Sequence, residues 1–238
     1  MNKTVITMTL NKRADYTRKA FDAISKSLSW AKVDFPKMFF IDYANDEVVE
    51  LAKEFKAKYN NTTIIVNDPP LGCNNNTYSA IHTALRVENF DRVIHFEDDT
   101  IPTKDCIDFF VRHMNLYEEN PEVFSITGYN RTVDFPDSNA LSHIEKQNHF
   151  TCWGICLWKS KSDVLLDNWI ENSDRTNKTM SWDSHLNDNV VTKDKKLLQI
   201  KPMISRIQNI GSEGGSWVPS PMWHFYNHRS PFTSNDIL

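Results

Sequence analysis

The first half of the chain alternates short apolar runs with longer segments in which apolar residues recur every three or four positions. The short runs predict buried strands, and the longer segments predict amphipathic helices that pack on them. The predicted strands cover residues 5–10, 37–43, 62–66, 92–96 and 123–127. The predicted helices cover residues 16–28, a stretch capped by Asn45 or Asp46, residues 76–87, and a long helix opened by Pro102 and Thr103. This alternation predicts an α/β fold with helices on both faces of one sheet.

The second half of the chain is less regular. It predicts an aromatic strand at 150–158, a helix from residue 160 to about 169, and a last strand at 197–204. Gly211, Gly214 and Gly215 lie within five residues in a chain that has only six glycines, which predicts a mobile loop or a close backbone approach. Because no repeat or linker divides the chain, we expect one continuous domain.

Composition narrows the function classes. The 238 residues include 27 Lys and Arg and 31 Asp and Glu, for a net charge of −4, which argues against a broad basic nucleic-acid surface but not against a local one. The mean hydropathy is −0.51, and no apolar run approaches the roughly 20 residues of a membrane span. The N-terminus enters a strand-like run without a signal-peptide core, so we expect a cytoplasmic protein. The four cysteines lack metal-site spacing, and we expect buried free thiols.

Three consecutive carboxylates, Glu97, Asp98 and Asp99, follow the fourth predicted strand directly. Neighbouring like charges repel, so a cation should neutralise them. Carboxylate oxygens suit a hard divalent cation, Mn²⁺ or Mg²⁺, whose other ligands are commonly water and substrate phosphates. The alternative is an exposed acidic turn in which Asp99 or Thr103 caps the next helix.

Polar residues also follow the first and second predicted strands, and the ligand crevice of an α/β sheet lies at these carboxyl ends. Asn11 and Arg13 follow the first strand, where the planar guanidinium suits a phosphate or a stacked base. Asp42 ends the second strand and could accept from a ribose or a uracil-type N–H. The alternatives are a salt bridge for Arg13 at the helix N-terminus and a capping or turn role for Asp42 beside Asn45.

Further candidates lie in the second half. Asp183, behind Trp182 at the head of a short helical segment, could be a general base or an ordinary helix cap. The candidate ligands or hydrogen-bond donors are His185, His224 and His228, although a single histidine is more often an ordinary polar residue. Most aromatic residues predict core, whereas Trp217 and Trp223 flank the glycine-rich loop and could stack on a sugar or base. The chain lacks the motifs G-x-G-x-x-G, G-x-x-x-x-G-K-[ST] and G-x-S-x-G.

The ordered series of these pieces resembles the GT-A-fold glycosyltransferases, in particular the N-acetylglucosaminyltransferase I family. Residues 5–18 look like its first strand and nucleotide-contacting Arg. Phe96-Glu97-Asp98-Asp99 looks like its acidic metal motif, which reads Glu-Asp-Asp rather than strict Asp-x-Asp. The other matching pieces are Asp108-Phe109-Phe110, the acceptor-side strand from Trp153-Gly154 to Trp158, the base-carrying segment Trp182-Asp183, and the C-terminal strand and lid at 202–206 and 211–216.

The resemblance implies a GT-A-type, Rossmann-like nucleotide-sugar-binding domain with a mixed, mostly parallel sheet. Residues 1–130 would bind the donor, and residues 131–238 would bind the acceptor and carry the base and the lid. It implies a metal-dependent inverting glycosyltransferase that uses a nucleotide-diphosphate sugar, with Asp99 on Mn²⁺ or Mg²⁺ and Asp183 as the catalytic base. The remaining assignments are donor contacts at Asn11, Arg13, Asp42, Glu97, Asp98, Gly214 and Ser216, and acceptor or lid contacts at Trp153, Trp182, Arg206, Trp217 and His224.

The acceptor stays open between a glycan, a protein and a hydroxymethylated base in phage DNA. The DNA alternative needs a local basic face, for which the candidates are Lys193, Lys195, Lys196, Lys201 and Arg206. The same charges also suit an ordinary solvated surface. Two further functions stay open: a non-catalytic nucleotide- or carbohydrate-binding module on this fold, and a sugar nucleotidyltransferase. The sequence predicts no oligomeric state.

Overall fold

The structure, a computed structural model, describes residues 3–42, 45–131, 138–170, 181–213 and 218–238. Its strands are β1 Thr4–Leu10, β2 Lys37–Ile41, β3 Thr62–Val66, β4 Arg92–Glu97, β5 Thr100–Pro102, β6 Val123–Thr127, β7 Ile144–Gln147, β8 Ile155–Trp158, β9 Leu198–Pro202 and β10 Ile207–Asn209. Its helices are α1 Ala14–Ala31, α2 Asp46–Lys58, α3 Cys73–His82, α4 Cys106–Tyr117, α5 Asp163–Leu166, α6 Trp182–Leu186 and α7 Pro221–Asn227. Among the described residues, no helix combines the length and the apolar character needed to cross a bilayer.

Eight strands form one mixed sheet in the order β3-β2-β1-β4-β8-β6-β9-β7. The first four strands of this order run parallel, and β8 runs antiparallel between β4 and β6. The carboxyl ends of β1, β2 and β4 therefore share one edge with the amino end of β8. This confirms the predicted α/β class and mostly parallel sheet, and it brings the polar residues after the strands together.

Both faces of the sheet are buried, which explains why its central strands are almost continuously apolar. All seven residues of β1 are buried. Successive side chains of β2 enter different cores, because side chains alternate between the faces of a strand. Phe39 packs with Phe21 and Phe55 at ring-centroid distances of 4.8 and 5.3 Å, under α1 and α2. Phe40 instead joins the core under α3, which includes Ala80.

The connection after the acidic triplet differs from the prediction. Pro102 and Thr103 do not open a helix: Pro102 ends β5, which pairs antiparallel with β10, and α4 begins only at Cys106. The backbone N–H of Thr103 donates to the carbonyl of Arg206 at 2.8 Å, so this stretch extends the β5–β10 pairing. Glu97 consequently ends β4, and Asp98 and Asp99 form the turn between β4 and β5.

The predicted strand at 150–158 is shorter than expected, since β8 begins at Ile155. Side-chain amides satisfy the backbone before it. Asn187 accepts from the Phe150 N–H at 2.6 Å and donates to its carbonyl at 2.7 Å. Gln199 accepts from the Thr151 N–H at 2.8 Å. These residues therefore need no neighbouring strand.

Two further predictions are corrected. The helix predicted from residue 160 to about 169 is confined to a short turn at Lys159–Lys161 and to α5. Of the four cysteines, Cys106, Cys152 and Cys156 are buried as predicted, but Cys73 is exposed at the start of α3.

A close crossing fixes β10 beside the acidic turn. Gly154 has a φ of +57°, and a Cβ at this position would lie 2.5 Å from Cδ1 of Ile207. A Cβ at Gly128 would lie 2.8 Å from Cγ1 of the same side chain. Ile207 is fully buried between these two glycines. The crossing therefore needs residues without side chains on both sides of it.

We expect Gly154→Ala to lower the free energy of unfolding by about 2–5 kcal/mol, because it adds left-handed strain of about 1–2 kcal/mol to overpacking of about 1–3 kcal/mol. Urea denaturation measures the change. Ile207→Ala should be destabilising alone but should offset part of the cost in the double variant. A loss below about 1 kcal/mol for Gly154→Ala would contradict the crossing.

Candidate active site

A cavity of about 400 Å³ lies at the carboxyl ends of β1, β2 and β4. It collects eleven side chains that the sequence singled out, from positions 217 residues apart at the extremes. They are Asn11, Arg13, Asp42, Glu97, Asp98, Asp99, Trp153, Trp182, Asp183, Trp223 and His228. The sheet order explains this convergence, since β1 is flanked by β2 and β4, and β8 adjoins β4.

An ion-pair cluster forms the floor of the cavity. Arg13 donates from Nε to Oδ2 of Asp98 at 3.0 Å and from Nη2 to Oδ1 of the same carboxylate. Nη2 also lies 3.0 Å from Oδ2 of Asp99. Burial acts to lower the pKa of Arg13, but the two carboxylates outweigh it and hold this pKa above its usual value. The guanidinium is therefore a fixed cation.

The carboxylates in this cluster outnumber the guanidinium that contacts them. Burial raises the pKa of Glu97 well above its usual value, and repulsion from Asp99, Asp98 and Asp183 raises it further. Burial also raises the pKa of Asp98 to about 6, although Arg13 opposes the shift. Such shifts are typical of a site that lacks part of its positive charge.

The geometry at Asp99 fits a divalent cation held by few protein ligands. Oδ1 of Asp99 is buried and has no hydrogen-bond partner among the described residues. Its Oδ2 packs so closely on Gly211 that any side chain at 211 would collide with it. The described residues contain no group of three or more His, Cys, Asp and Glu side chains arranged to hold a metal ion. A hard cation here would complete its shell with substrate oxygens and water, as Mg²⁺ commonly does.

Asp42 has a structural role in addition to its place on the cavity wall. Its oxygens accept from the backbone N–H groups of Leu71 and Gly72 at 2.6 and 2.9 Å, and from the Asn67 amide at 3.2 Å. Asn45 caps α2 independently by accepting from the Val48 N–H at 3.1 Å. Asp42 therefore fixes the loop that leads into α3.

Short helix α6 presents Asp183 to the cavity. Trp182 is buried and stacks on Trp169 at 4.8 Å, which anchors the helix. Asp183 is the residue after this anchor, and its Oδ2 accepts a weak hydrogen bond from the Cys152 thiol at 3.7 Å. Burial raises the pKa of this thiol well above its usual value, so the thiol keeps its proton and donates. Trp153 packs edge-on against His228 at 4.5 Å on the neighbouring wall.

Other predicted residues lie elsewhere. Arg206 is buried outside the cavity lining, where it pairs with Asp105 at 3.2 Å and donates to the carbonyl of Ile204 at 2.7 Å. This position does not support an acceptor or lid contact. His224 is also buried, and its Nε2 lies 2.7 Å from Oδ1 of Asn209, which does line the cavity. Gly214, Ser216 and Trp217 lie outside the described residues, so the predicted lid is described only up to residue 213.

The basic face predicted for a DNA acceptor does not form from its five candidates. Arg206 is buried, and Lys201 pairs with Glu145 at 2.9 Å. Lys193 and Lys195 donate to Asn189 and Asn148, each at 3.2 Å. Two of the five charges are thus neutralised by carboxylates within the fold.

The cavity also includes residues that the sequence analysis missed. Cys73, Asn76 and Thr77 of α3 line it, and Oγ1 of Thr77 is buried without a hydrogen-bond partner among the described residues. Asn209 contributes from the C-terminal part. The third strand is parallel to the first two, so the chain that leads from it into α3 starts at the same edge of the sheet. This rule for α/β sheets could have identified α3 as part of the cavity wall.

Comparisons with known proteins bear on the fold. No family model matches the chain, and no curated protein matches it. Among solved structures, the chain is similar to the mannosyltransferase PcManGT from Pyrobaculum calidifontis in complex with GDP-Man and Mn²⁺. This match has a TM-score of 0.55 and 14% identity, and it covers 84% of this chain and 54% of that chain.

The chain is also similar to S. aureus TarS 1-349, with a TM-score of 0.58, 10% identity, and coverage of 87% of this chain and 59% of that chain. For TarS 1-349 in complex with UDP-GlcNAc the TM-score is 0.57 at 12% identity, with coverage of 84% and 56%. The chain thus spans 54–59% of the length of these proteins. Their likeness gives the chain the fold of GT-A-type glycosyltransferases, while the resemblance to the N-acetylglucosaminyltransferase I family is not confirmed.

We expect Arg13→Met to destabilise the fold by about 3 kcal/mol near pH 8, because it leaves two buried carboxylates without their cation. The loss should shrink toward pH 5. Folded-state carboxyl pKa values above the unfolded values mean that folding takes up protons, so acid relieves the repulsion. Urea denaturation across this pH range measures the effect.

Arg18→Met is the matched control. Arg18 lies on the same helix, its side chain is 55% exposed, and its contact with Glu47 is 3.8 Å long. Its replacement should change stability by less than about 0.5 kcal/mol at either pH. Equal, pH-independent losses in the two variants would contradict the role given to Arg13.

Proposed function

We propose that this protein is a metal-dependent inverting glycosyltransferase that moves a sugar from a nucleotide-diphosphate donor to an acceptor hydroxyl. One observation carries the proposal. Nη1 of Arg13 is a buried donor and Oδ1 of Asp99 a buried acceptor, both without partners among the described residues, and both side chains line one cavity. A diphosphate oxygen suits the first atom and a divalent cation suits the second.

The structural neighbours support this donor class. PcManGT is in complex with GDP-Man and Mn²⁺, and TarS 1-349 is in complex with UDP-GlcNAc. Both ligands are nucleotide-diphosphate sugars. The resemblance of Glu97-Asp98-Asp99 to the metal motif of the N-acetylglucosaminyltransferase I family supports the same class.

The cluster at the strand ends binds the diphosphate and its cation. Asp99, whose Oδ1 has no partner among the described residues, would hold Mn²⁺ or Mg²⁺, and Arg13 would donate from Nη1 to a diphosphate oxygen. When bound, the ion supplies Lewis-acid stabilisation of the charge that develops on the leaving group. Asp98 orients the guanidinium through two hydrogen bonds. Glu97 lines the cavity beside this ion, and we assign to it a hydrogen bond with a hydroxyl of the ribose or the sugar.

Asn11 and Asp42 form the nucleotide end of the site. The backbone N–H of Asn11 hydrogen-bonds Asp98, so its side chain, which is exposed, is held beside the ion-pair cluster. Asp42 shapes the base pocket through the loop it fixes before α3. We assign to these two residues the contacts to ribose and base.

Asp183 is the catalytic base. As the acceptor oxygen attacks the anomeric carbon, Asp183 takes the hydroxyl proton and the bond from carbon to the diphosphate breaks on the opposite face. The thiol of Cys152 donates to Oδ2, which leaves Oδ1 as the oxygen available to the acceptor. Attack from the face opposite the leaving group inverts the anomeric configuration.

Several assignments stay predictions. The sequence assigns Gly214 and Ser216 to donor contacts and Trp217 to a lid that would exclude water from the donor. Trp153 and Trp182 border the acceptor side. The acceptor classes remain a glycan, a protein or a modified base in DNA, and the location remains cytoplasmic.

The donor proposal predicts a metal-dependent thermal shift. In a screen of nucleotide sugars with Mn²⁺, a donor at about 100 times its Kd should raise the unfolding midpoint by about 5–10 °C, and the shift should disappear without the metal. Asp99→Asn should abolish the Mn²⁺-dependent part. Asp188→Asn, at an exposed carboxylate on the turn after α6, is the control and should keep it. An undiminished shift in Asp99→Asn would exclude Asp99 as the metal ligand.

The assignment of the base predicts a separation of binding from turnover. Asp183→Asn should keep the donor-induced thermal shift but lower the transfer rate by about 10²–10⁴-fold, because the acceptor proton has no acceptor group. Slow donor hydrolysis, followed by release of the nucleoside diphosphate, gives a readout without a known acceptor. Asp188→Asn again serves as the control, and full turnover in Asp183→Asn would remove this residue as the base.

A further inference from the structure

A second concave site lies far from the cavity. It is a groove of about 650 Å³, which we name the Trp30 groove. The groove is lined by Ser25, Lys26, Ser29, Trp30, Lys32, Lys58 and Lys104. Four of these seven residues are lysines and none is acidic, although the chain as a whole has a net charge of −4.

The four lysines form no salt bridge among the described residues. Three other described lysines do form one: Lys37 with Asp34, Lys53 with Glu50 at 2.6 Å, and Lys201 with Glu145 at 2.9 Å. The nearest acidic residues on the same helices, Asp22 and Glu54, lie one turn back and do not line the groove. Unpaired like charges around one concave surface favour an anionic ligand.

An aromatic wall accompanies the charge. Trp30 is 49% exposed, and the ammonium of Lys104 lies 5.0 Å from its ring centroid. Lys26 precedes Trp30 by four positions and so shares its face of α1, and both line the groove. An exposed indole beside lysines is the combination that binds an unpaired base next to its phosphate.

The groove is independent of the proposed donor site. Arg13 adjoins the N-terminal end of α1, whereas Trp30 lies 17 positions further, which places it about 25 Å along the helix axis. The two sites share no lining residue. Neither the metal nor the donor therefore explains the lysines.

We propose that the Trp30 groove binds single-stranded nucleic acid, with the lysines on backbone phosphates and Trp30 stacked on a base. The indole favours a nucleic acid over a simple polyanion, which offers no ring to stack.

Fluorescence anisotropy of a labelled oligothymidylate of about 12 nucleotides tests the proposal on the full chain. Binding should weaken with KCl, with a slope of log K against log[KCl] near −3 for four contacts. The triple variant Lys26→Ala, Lys58→Ala, Lys104→Ala should bind about tenfold or more weakly. The matched control, Lys193→Ala, Lys195→Ala, Lys196→Ala, removes the same charge from exposed positions and should bind as the parent does.

Trp30→Leu separates base stacking from charge. It should weaken oligothymidylate binding about tenfold and leave binding of inorganic polyphosphate unchanged. Far-UV circular dichroism melts verify that each variant is folded. The proposal is overturned by salt-insensitive binding, by equal losses in the two triple variants, by no effect of Trp30→Leu on the oligonucleotide, or by binding to phosphatidylserine vesicles but not to the strand.

Discussion

The constraint that organises this structure is the burial of several carboxylates at the carboxyl ends of parallel strands. Glu97, Asp98 and Asp99 are held there by the β4–β5 turn, and α6 adds Asp183 to the same cavity. Desolvated like charges repel, so the arrangement is tolerated only with a cation nearby. Arg13 supplies one such charge from the adjacent strand end. The unpartnered oxygen of Asp99 marks where this compensation is incomplete.

The strands and helices of the first half were predictable because their signals are local. A buried strand is an apolar run, and the register Met8↔Phe96 follows once β1 and β4 are neighbours. The errors occurred where distant partners decide the conformation. Pro102 extends a strand only because β10, about 100 residues later, pairs with it. Before β8, the side chains of Asn187 and Gln199 replace the neighbouring strand, and such substitution leaves no periodic pattern in the sequence.

The site residues also divide into those that a local sequence pattern predicts and those whose role depends on distant partners. Asn11, Arg13 and the acidic triplet follow predicted strands closely. The rule that ligand sites lie at the carboxyl ends of the strands in α/β sheets therefore predicts that these residues share one edge. Arg206 was assigned from the resemblance of residues 202–206 to the family's C-terminal strand, and its burial depends on Asp105, 101 positions away. Thr77 was missed because nothing local distinguishes a threonine on a cavity wall from one in a core. In both cases the sequence does not show whether a polar side chain has a hydrogen-bonding or ion-pairing partner in the folded protein, and this decides its role.

The net charge of −4 conceals a separation of charge along α1. Its N-terminal end adjoins a cavity rich in carboxylates, and its C-terminal end carries Trp30 in a groove with lysines and no acid in its lining. Ends about 25 Å apart exceed the Debye length of about 8 Å at physiological salt, so neither cluster neutralises the other. Each end must therefore find its own counter-charge. For this reason an acidic overall composition argues against a broad basic surface but says little about a local one. Whether the protein binds an anionic partner is decided by the charges that line each groove.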